Sequence, residues 1–366
     1  MKKLTVVLAV LAAACAGEPP IQNGPPPITL TDAEGKAVTL KAGHASLQRW
    51  LLPAAVPAPE SNQTTPERVA LGEKLFFDPR LSVSGQTSCA SCHAPERGWA
   101  DGLPLSMRLM GERMTRNSPT VVNVAFNPLH GWDGKSTSLE QQALNSQSMT
   151  GSLQAGSKEQ GHTNENLGIE RIRKLAGYVE AFAKAYPGEA ISKESAAKAI
   201  AAFERSLVSR NTPFDRWVRG DARAMTPEQV SGFQVFLDSN KGNCAACHSA
   251  PNFTDNGFHN IGLKQWGQPN ADAGRYRVKA VASMMGAFRT PTLREVGQSA
   301  PYFHDGSAAR MQDVVDHYIR GGDVHTNLSA SLKPLTLSAQ ERADLLVFLQ
   351  ALDTPYQPYD TPRLPR

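Results

Sequence analysis

Two five-residue stretches constrain this 366-residue chain more than anything else in it. They read Cys89-Ala90-Ser91-Cys92-His93 and Cys244-Ala245-Ala246-Cys247-His248. Each is the C-x-x-C-H signature of covalent c-type haem attachment. Two thiols at that spacing add to the two vinyl groups of one haem, and the His that follows is held beneath the iron as its proximal ligand. A zinc site or a thiol redox pair would also use paired cysteines, but neither requires a His directly after the second one. Here that His occurs twice. Two covalently bound haem c groups are expected, one on Cys89, Cys92 and His93, the other on Cys244, Cys247 and His248.

The two motifs sit in an internal repeat. TPERVALGEKLFFD from Thr65 and TPEQVSGFQVFLD from Thr226 align with one deletion, and each leads into a motif. Both open with Thr at the N-cap, Pro at the first helical position and Glu in the first turn, which predicts a helix over 65–77 and its counterpart from 226. Thr226 and Gln229 have capping-box spacing, as do Ser338 and Glu341 further on. Downstream of each motif the periodicity predicts an amphipathic helix. One covers 192–210, with Ala199, Ile200, Phe203 and Leu207 on one face; the other covers 338–352, with Leu345, Leu346 and Leu349. These stripes read as core. Helix, haem motif, loops and closing helix make one cytochrome c unit, and the chain contains two. The expected fold class is therefore mainly α, two tandem cytochrome c-like haem domains with long loops, divided as 61–215 and 216–366. The loops over 94–139 and 250–313 are long enough to cover a cofactor or line a site.

The beginning of the chain reads as a lipoprotein signal peptide over 1–15: Lys2 and Lys3, an apolar run from Leu4 to Ala14 too short to cross a bilayer, then Cys15. Small residues ahead of Cys15 point to its lipidation; ordinary cleavage after Ala16 is the alternative. Four of the five cysteines belong to the motifs, which leaves Cys15 to be explained. Residues 16–60 read as a Pro-rich tether and amino-terminal extension, with a hairpin over 28–40 around Asp32–Gly35. The formal charge of +4 comes without a Lys/Arg run, so no nucleic-acid partner is expected, and membrane contact only through the lipid anchor. A periplasmic, lipid-anchored protein follows, which suits haem attachment outside the cytoplasmic membrane.

LGEKLFFDPRLS precedes the first motif and RNSPTVVNVAFNPLHGWDGKSTSLEQQA follows it; PFDRW at Pro213, NFTDNGFHNIGL at Asn252, FRTPTLREV at Phe288 and APYFHDGS at Ala300 come later. Together, over Pro66 to Leu352, they resemble the bacterial di-haem cytochrome c peroxidase and MauG family. FHNIGL and the DHY of Asp316 to Tyr318 followed by two Gly are most similar to its MauG-like, MbnH-like branch, whose second haem carries a Tyr axial ligand.

The resemblance implies a peroxide-reactive first haem, on His93, and a fully ligated, electron-storing second haem, on His248. Tyr318 matches the sixth ligand of the second iron, where ordinary peroxidases place a Met; His317, Met311, Met284 and Met285 are its rivals. A phenolate is a hard anionic donor and favours the higher oxidation states of iron. Read by itself, Tyr318 is equally a ring packed at a helix edge. Trp132 matches the Trp between the haems and would relay electrons; by itself it is a core Trp on a Gly-rich turn. Gln142 matches the distal Gln. The family's distal Glu and His fall at Ser152 and Leu109, leaving His130, Arg113 and Glu140 as substitutes or as structural residues. A calcium ion would be held by the side chain of Asn117 and the carbonyls of Ser299 and Pro301; alone, Asn117 reads as a turn residue. His304 would lie near a haem propionate, and His259 is either similar or structural. The surface Trp through which some relatives oxidise a partner falls at Gly242, with Trp217, Trp266 and Tyr276 as other exits.

The expected function is a di-haem c-type oxidoreductase that reacts with hydrogen peroxide at the N-terminal haem and uses a Tyr-ligated C-terminal haem to store and pass oxidising equivalents. Its donor would be a small redox protein, a cytochrome c or a cupredoxin. The first alternative is a MauG-like enzyme that oxidises Trp or Tyr side chains of a partner protein. The second is a non-catalytic electron-transfer cytochrome with both irons closed by protein ligands.

Overall fold

The computed structural model describes residues 27–31, 37–107, 113–146 and 166–366. The expectations at Cys15, Leu109, Ser152 and the Asp32–Gly35 turn fall outside them. Ile28–Thr31 (β1) and Ala37–Leu40 (β2) pair antiparallel with Ile28 opposite Leu40, so the hairpin expected there has both its strands.

The helices follow as Pro66–Phe77 (α1), Leu139–Leu144 (α2), Leu167–Arg173 (α3), Ala176–Ala185 (α4), Lys193–Ser206 (α5), Pro213–Val218 (α6), Pro227–Leu237 (α7), Met311–Arg320 (α8) and Ala339–Gln350 (α9). Phe258–His259 (β3) and Phe288–Arg289 (β4) form a two-residue antiparallel pair. The starts obey their caps. The Thr65 hydroxyl accepts from the Arg68 amide at 3.3 Å, and both capping boxes are closed in full. One end differs from expectation: α5 stops at Ser206 rather than running to 210, because Leu207 leaves the helical region and its carbonyl accepts the Asn123 amide at 2.9 Å. Helices α3 and α4 were not foreseen; neither has a side-chain N-cap to announce it.

Each unit is built around the same crossing. In the first, α1 meets α5 so closely that a methyl on Gly72 would stand 1.9 Å from the Ala199 carbonyl oxygen. In the second, α7 meets α9, and a methyl on Gly232 would stand 2.0 Å from that of Asp344. The two glycines occupy aligned positions of the repeat. Around the first crossing Leu71, Phe76, Tyr178, Ile200 and Phe203 form one core; around the second Phe214, Phe233, Phe236, Phe253 and Phe348 form another.

The two ends of the chain cross between these units. Ile28, Leu40, Leu47 and Trp50, from the amino-terminal extension, are buried in the second core. There the fully buried Arg294 donates to both Asp215 oxygens, at 2.9 and 3.0 Å, and to the Trp50 carbonyl at 2.8 Å. Removing one partner of so buried a pair costs about 3–5 kcal/mol. The carboxyl-terminal segment runs the other way. It lays Tyr359 on Phe77 and brings the Pro365 carbonyl to the Arg80 guanidinium at 2.8 Å. Among the described residues, no helix is long and apolar enough to cross a membrane.

Candidate active site

Both C-x-x-C-H stretches fold alike. Cys89–Ser91 and Cys244–Ala246 are single 3₁₀ turns, and the amides of His93 and His248 bond back to the carbonyls of Cys89 and Cys244 at 3.0 and 2.8 Å. None of the four cysteines is in a disulfide, which leaves their sulfurs available for thioether bonds. Burial pushes the Cys92 thiol up to about 11 and the Cys244 thiol up to about 12.

Each His is aimed by a carbonyl. His93 Nδ1 lies 3.2 Å from the Trp99 carbonyl, and His248 Nδ1 lies 2.9 Å from that of Phe253. A carbonyl can only accept, so Nδ1 carries the proton and Nε2 is left as the ligand atom, as is usual for a metal-bound His. Trp99 and Phe253 both adopt left-handed backbone, φ +61° and +53°, conformations that cost a non-glycine residue about 1–3 kcal/mol. That the same unfavourable turn occurs after both motifs shows what it is for: it turns a carbonyl onto the imidazole. Neither residue was singled out from sequence, since the acceptor is backbone; a bulky residue five or six places after each motif His is the signal that could have found them. These thiols and imidazoles fit a covalent haem at each motif.

A cavity of about 670 Å³ opens over the second motif, lined by Cys244, Cys247 and His248. Tyr318 and Met311, both from α8, line the same space. Burial, and then the nearness of Cys247 and Cys244, raise the Tyr318 phenol, so the ring faces the motif. Of the rivals, Met311 stays beside Tyr318 and the other three fall away. His317 is buried with Nε2 2.8 Å from the Ile261 carbonyl and Nδ1 3.2 Å from Asp323, both nitrogens engaged elsewhere. Met284 and Met285 do not line the cavity.

Trp132 lies on this cavity and reaches toward the other motif. Its indole N–H donates to the Asn117 carbonyl at 2.9 Å; the next residue, Ser118, donates from its hydroxyl to the Cys92 carbonyl at 2.7 Å. On its other side Trp132 meets His304 edge-on at 6.3 Å. His304 stacks on Phe288 at 3.4 Å, and its Nε2 is buried with no protein partner. An orphaned ring nitrogen on the wall of a haem-sized cavity fits a hydrogen-bonding group of the cofactor such as a propionate. Asn117, Ser299 and Pro301 line the cavity too. The Asn117 amide nitrogen donates to the Leu103 carbonyl at 2.9 Å, which leaves its Oδ1 as an oxygen donor.

Gln142 is half-buried on α2, beside the turn that carries Trp132: a methyl added to Gly131 would stand 3.9 Å from its Oε1. Glu140 is taken by Arg205 and by the Asn62 amide at 2.7 Å, and Arg113 is exposed. His130 is buried, and burial followed by the Arg289 charge pushes it down to about 4. His259 is held between Asp255 at 2.8 Å and Ser329 at 3.0 Å. Trp217, expected as a surface exit, is 1% exposed within the second core and cannot serve as one. At Gly242 any side chain would press a Cβ to 2.6 Å from the Val235 carbonyl oxygen.

A model of the di-haem cytochrome c peroxidase family matches residues 66–223. Methylamine utilization protein MauG of Methylorubrum extorquens is 38% identical over 363 residues, 99% of this chain and 98% of that protein. The chain belongs to the di-haem cytochrome c peroxidase and MauG family. Cytochrome c551 peroxidase of Pseudomonas aeruginosa is 37% identical over 251 residues, 67% of this chain and 69% of its own length. The crystal structure of a MauG-like protein associated with microbial copper homeostasis matches with a TM-score of 0.73 at 31% identity, covering 83% of this chain and 95% of that one. As a member of the di-haem peroxidase and MauG family the chain is an oxidoreductase that acts with peroxide and carries two haem c groups. Its two repeated units are the tandem cytochrome c-like domains of that family.

Proposed function

We propose that the two haem sites are unequal. Peroxide reacts at the first, on His93, and the second, on His248, is closed by Tyr318 and holds oxidising equivalents for delivery. The observation that carries this reading is Tyr318 on the cavity wall, its phenol near Cys244 and Cys247, while the neighbouring His317 is committed to Ile261 and Asp323. When bound, the haems supply the site of peroxide cleavage and the store for the oxidising power it releases.

The residues of the chain do the rest. The Trp99 and Phe253 carbonyls hold both imidazoles in the ligating tautomer. Gln142, beside the turn that carries Trp132, offers a neutral amide able to steady a developing charge without moving a proton. Trp132 bridges the sites with an oxidisable indole where a saturated side chain would insulate. His304 meets a propionate. Asn117 Oδ1, with the Ser299 and Pro301 carbonyls, offers hard oxygen donors to a calcium ion, waters completing the shell. The peroxidatic unit is residues 61–215, the storing unit 216–366, and 16–60 the extension.

A Tyr rather than a thioether on the second site favours an enzyme that oxidises side chains of a partner protein over one that turns over a small redox donor, because a phenolate stabilises the more oxidised metal. Export to the periplasm with a lipid on Cys15 belongs to the same reading, and fatty-acid incorporation at Cys15 is its measurement. The central test is Tyr318→Phe in the haem-loaded protein. It should abolish the absorption and electron paramagnetic signature of a Tyr-ligated haem and leave the first site's spectrum as it was; an unaltered second-site spectrum rules the ligand out.

A further inference from the structure

The carboxyl-terminal segment holds a tyrosine in a setting that packing alone does not require. Tyr359 stacks on Phe77, with centroids 5.6 Å apart and planes 14° apart, and stands edge-on to Trp99 at 5.0 Å. Its hydroxyl donates to Glu73 Oε1 at 2.6 Å. Trp99 is the residue whose carbonyl receives the His93 imidazole, and its ring meets Phe76 at 5.9 Å, which meets His93 at 6.5 Å. The first haem site is thus joined through one indole to a half-buried phenol near the surface.

The chemistry of this cluster is selective. Phe76, Phe77 and Phe203 surround it, and a phenyl ring is far too hard to oxidise to carry a hole. Trp99 and Tyr359 are the two oxidisable rings, and they are in contact. An indole can lose an electron and wait; a phenol must lose its proton with the electron, because the radical cation is a strong acid. A carboxylate already accepting the phenol's hydrogen bond is the base that step needs. Tyr356, on the same segment and 56% exposed, has neither a ring neighbour nor a carboxylate among the described contacts.

We propose that Trp99 and Tyr359 form a hole relay from the first haem site to the protein surface, with Glu73 as its proton acceptor. This rests on the reading that peroxide reacts at the His93 site. One oxidising equivalent from peroxide takes an electron from Trp99, and Trp99 regains it from Tyr359. Tyr359 gives its phenolic proton to Glu73 and becomes a neutral phenoxyl radical. A one-electron donor at the surface, a redox protein or an oxidisable side chain of a partner, reduces the radical, and Glu73 returns the proton. Two such passes, with two protons taken from water, oxidise two one-electron donors, reduce one peroxide to two waters and restore all three residues.

The experiment mixes the haem-loaded full chain with a small excess of hydrogen peroxide and a nitroso spin trap, without donor. Adducts are mapped by mass spectrometry and normalised to the peroxide consumed. Wild type should carry the adduct at Tyr359 in excess over Tyr356. Trp99→Phe and Glu73→Gln should each lower the Tyr359 adduct several-fold, and Tyr359→Phe should not shift it to Tyr356. An adduct at Tyr359 that Trp99→Phe leaves unchanged, or labelling of Tyr356 equal to that of Tyr359, means indiscriminate surface oxidation and overturns the relay. Peroxide consumed with no adduct at Tyr359 overturns the relay alone; no peroxide consumption overturns the reading beneath it as well.

Discussion

Glu204 puts a carboxyl where a charge is costly. It lies on α5, 8% exposed, and burial pushes it up to about 8, with Arg205 opposing and Glu140 adding to the shift. Arg205 is already bound to Glu140 and to the Asn62 carbonyl, so it cannot neutralise Glu204 fully. The raised value means that the folded chain binds a proton which the unfolded chain has lost, so stability falls as pH climbs from the ordinary carboxylate range through 8. Glu204→Gln keeps the shape without the charge. It should be more stable than wild type by on the order of a few kcal/mol above about pH 8 and nearly equal to it only at or below the ordinary carboxylate range. Denaturation midpoints against pH would show it, and a pH-independent difference would sink it. At this scale the sequence revealed whatever chemistry demands by side chain and spacing: Cys89, Cys92, His93 and their counterparts. The resemblance pointed to Tyr318 and left His317, adjacent on one helix, as a rival, because the Ile261 carbonyl that occupies His317 Nε2 comes from a loop far off in the chain. The sequence could not reveal Trp99 and Phe253, which act through carbonyls in left-handed backbone.

At the scale of elements the repeat is a repeat of one crossing. Gly72 and Gly232 let α1 reach α5 and α7 reach α9, each with a backbone carbonyl where a methyl would go. A carbonyl cannot step aside as a flexible side chain can. Gly72→Ala and Gly232→Ala should therefore each cost about 1–3 kcal/mol despite the higher helix propensity of Ala. Thermal melts would register this as a lowered midpoint, and a stabilised variant would mean the helices part freely. Helix starts were legible because Thr65, Thr226 and Ser338 cap by local chemistry. The end of α5 was not, since a loop amide from Asn123 decides it, and α3 and α4 were not, for want of a side-chain N-cap.

Across the whole molecule, the loop around Asn117 belongs to the first unit and the loop around His304 to the second; the Asn117 amide donates to the His304 carbonyl at 2.7 Å. A calcium ion on Asn117, Ser299 and Pro301 would clamp the same junction. Chelation should then lower the melting midpoint, and calcium at a large excess over its dissociation constant should restore about 2–3 kcal/mol. Equal midpoints with and without chelator would remove calcium from this site. The division into two units was visible in the repeat. What was not visible is that Trp50 completes the second core and Tyr359 covers the first, because such contacts span nearly the full chain and leave no local pattern.

That crossing of the ends also sets an order in time. Tyr359 and Pro365 follow the second motif in the chain and are made well after Cys89 and Cys92. Until the tail arrives, the Trp99 and Phe77 flank of the first motif stays uncovered, open to whatever joins haem to its thiols. The second motif has Trp50 waiting from the outset. The first motif to appear is thus sealed only by residues made after the second, and a chain lacking Tyr359 would hold its first haem behind an unfinished wall.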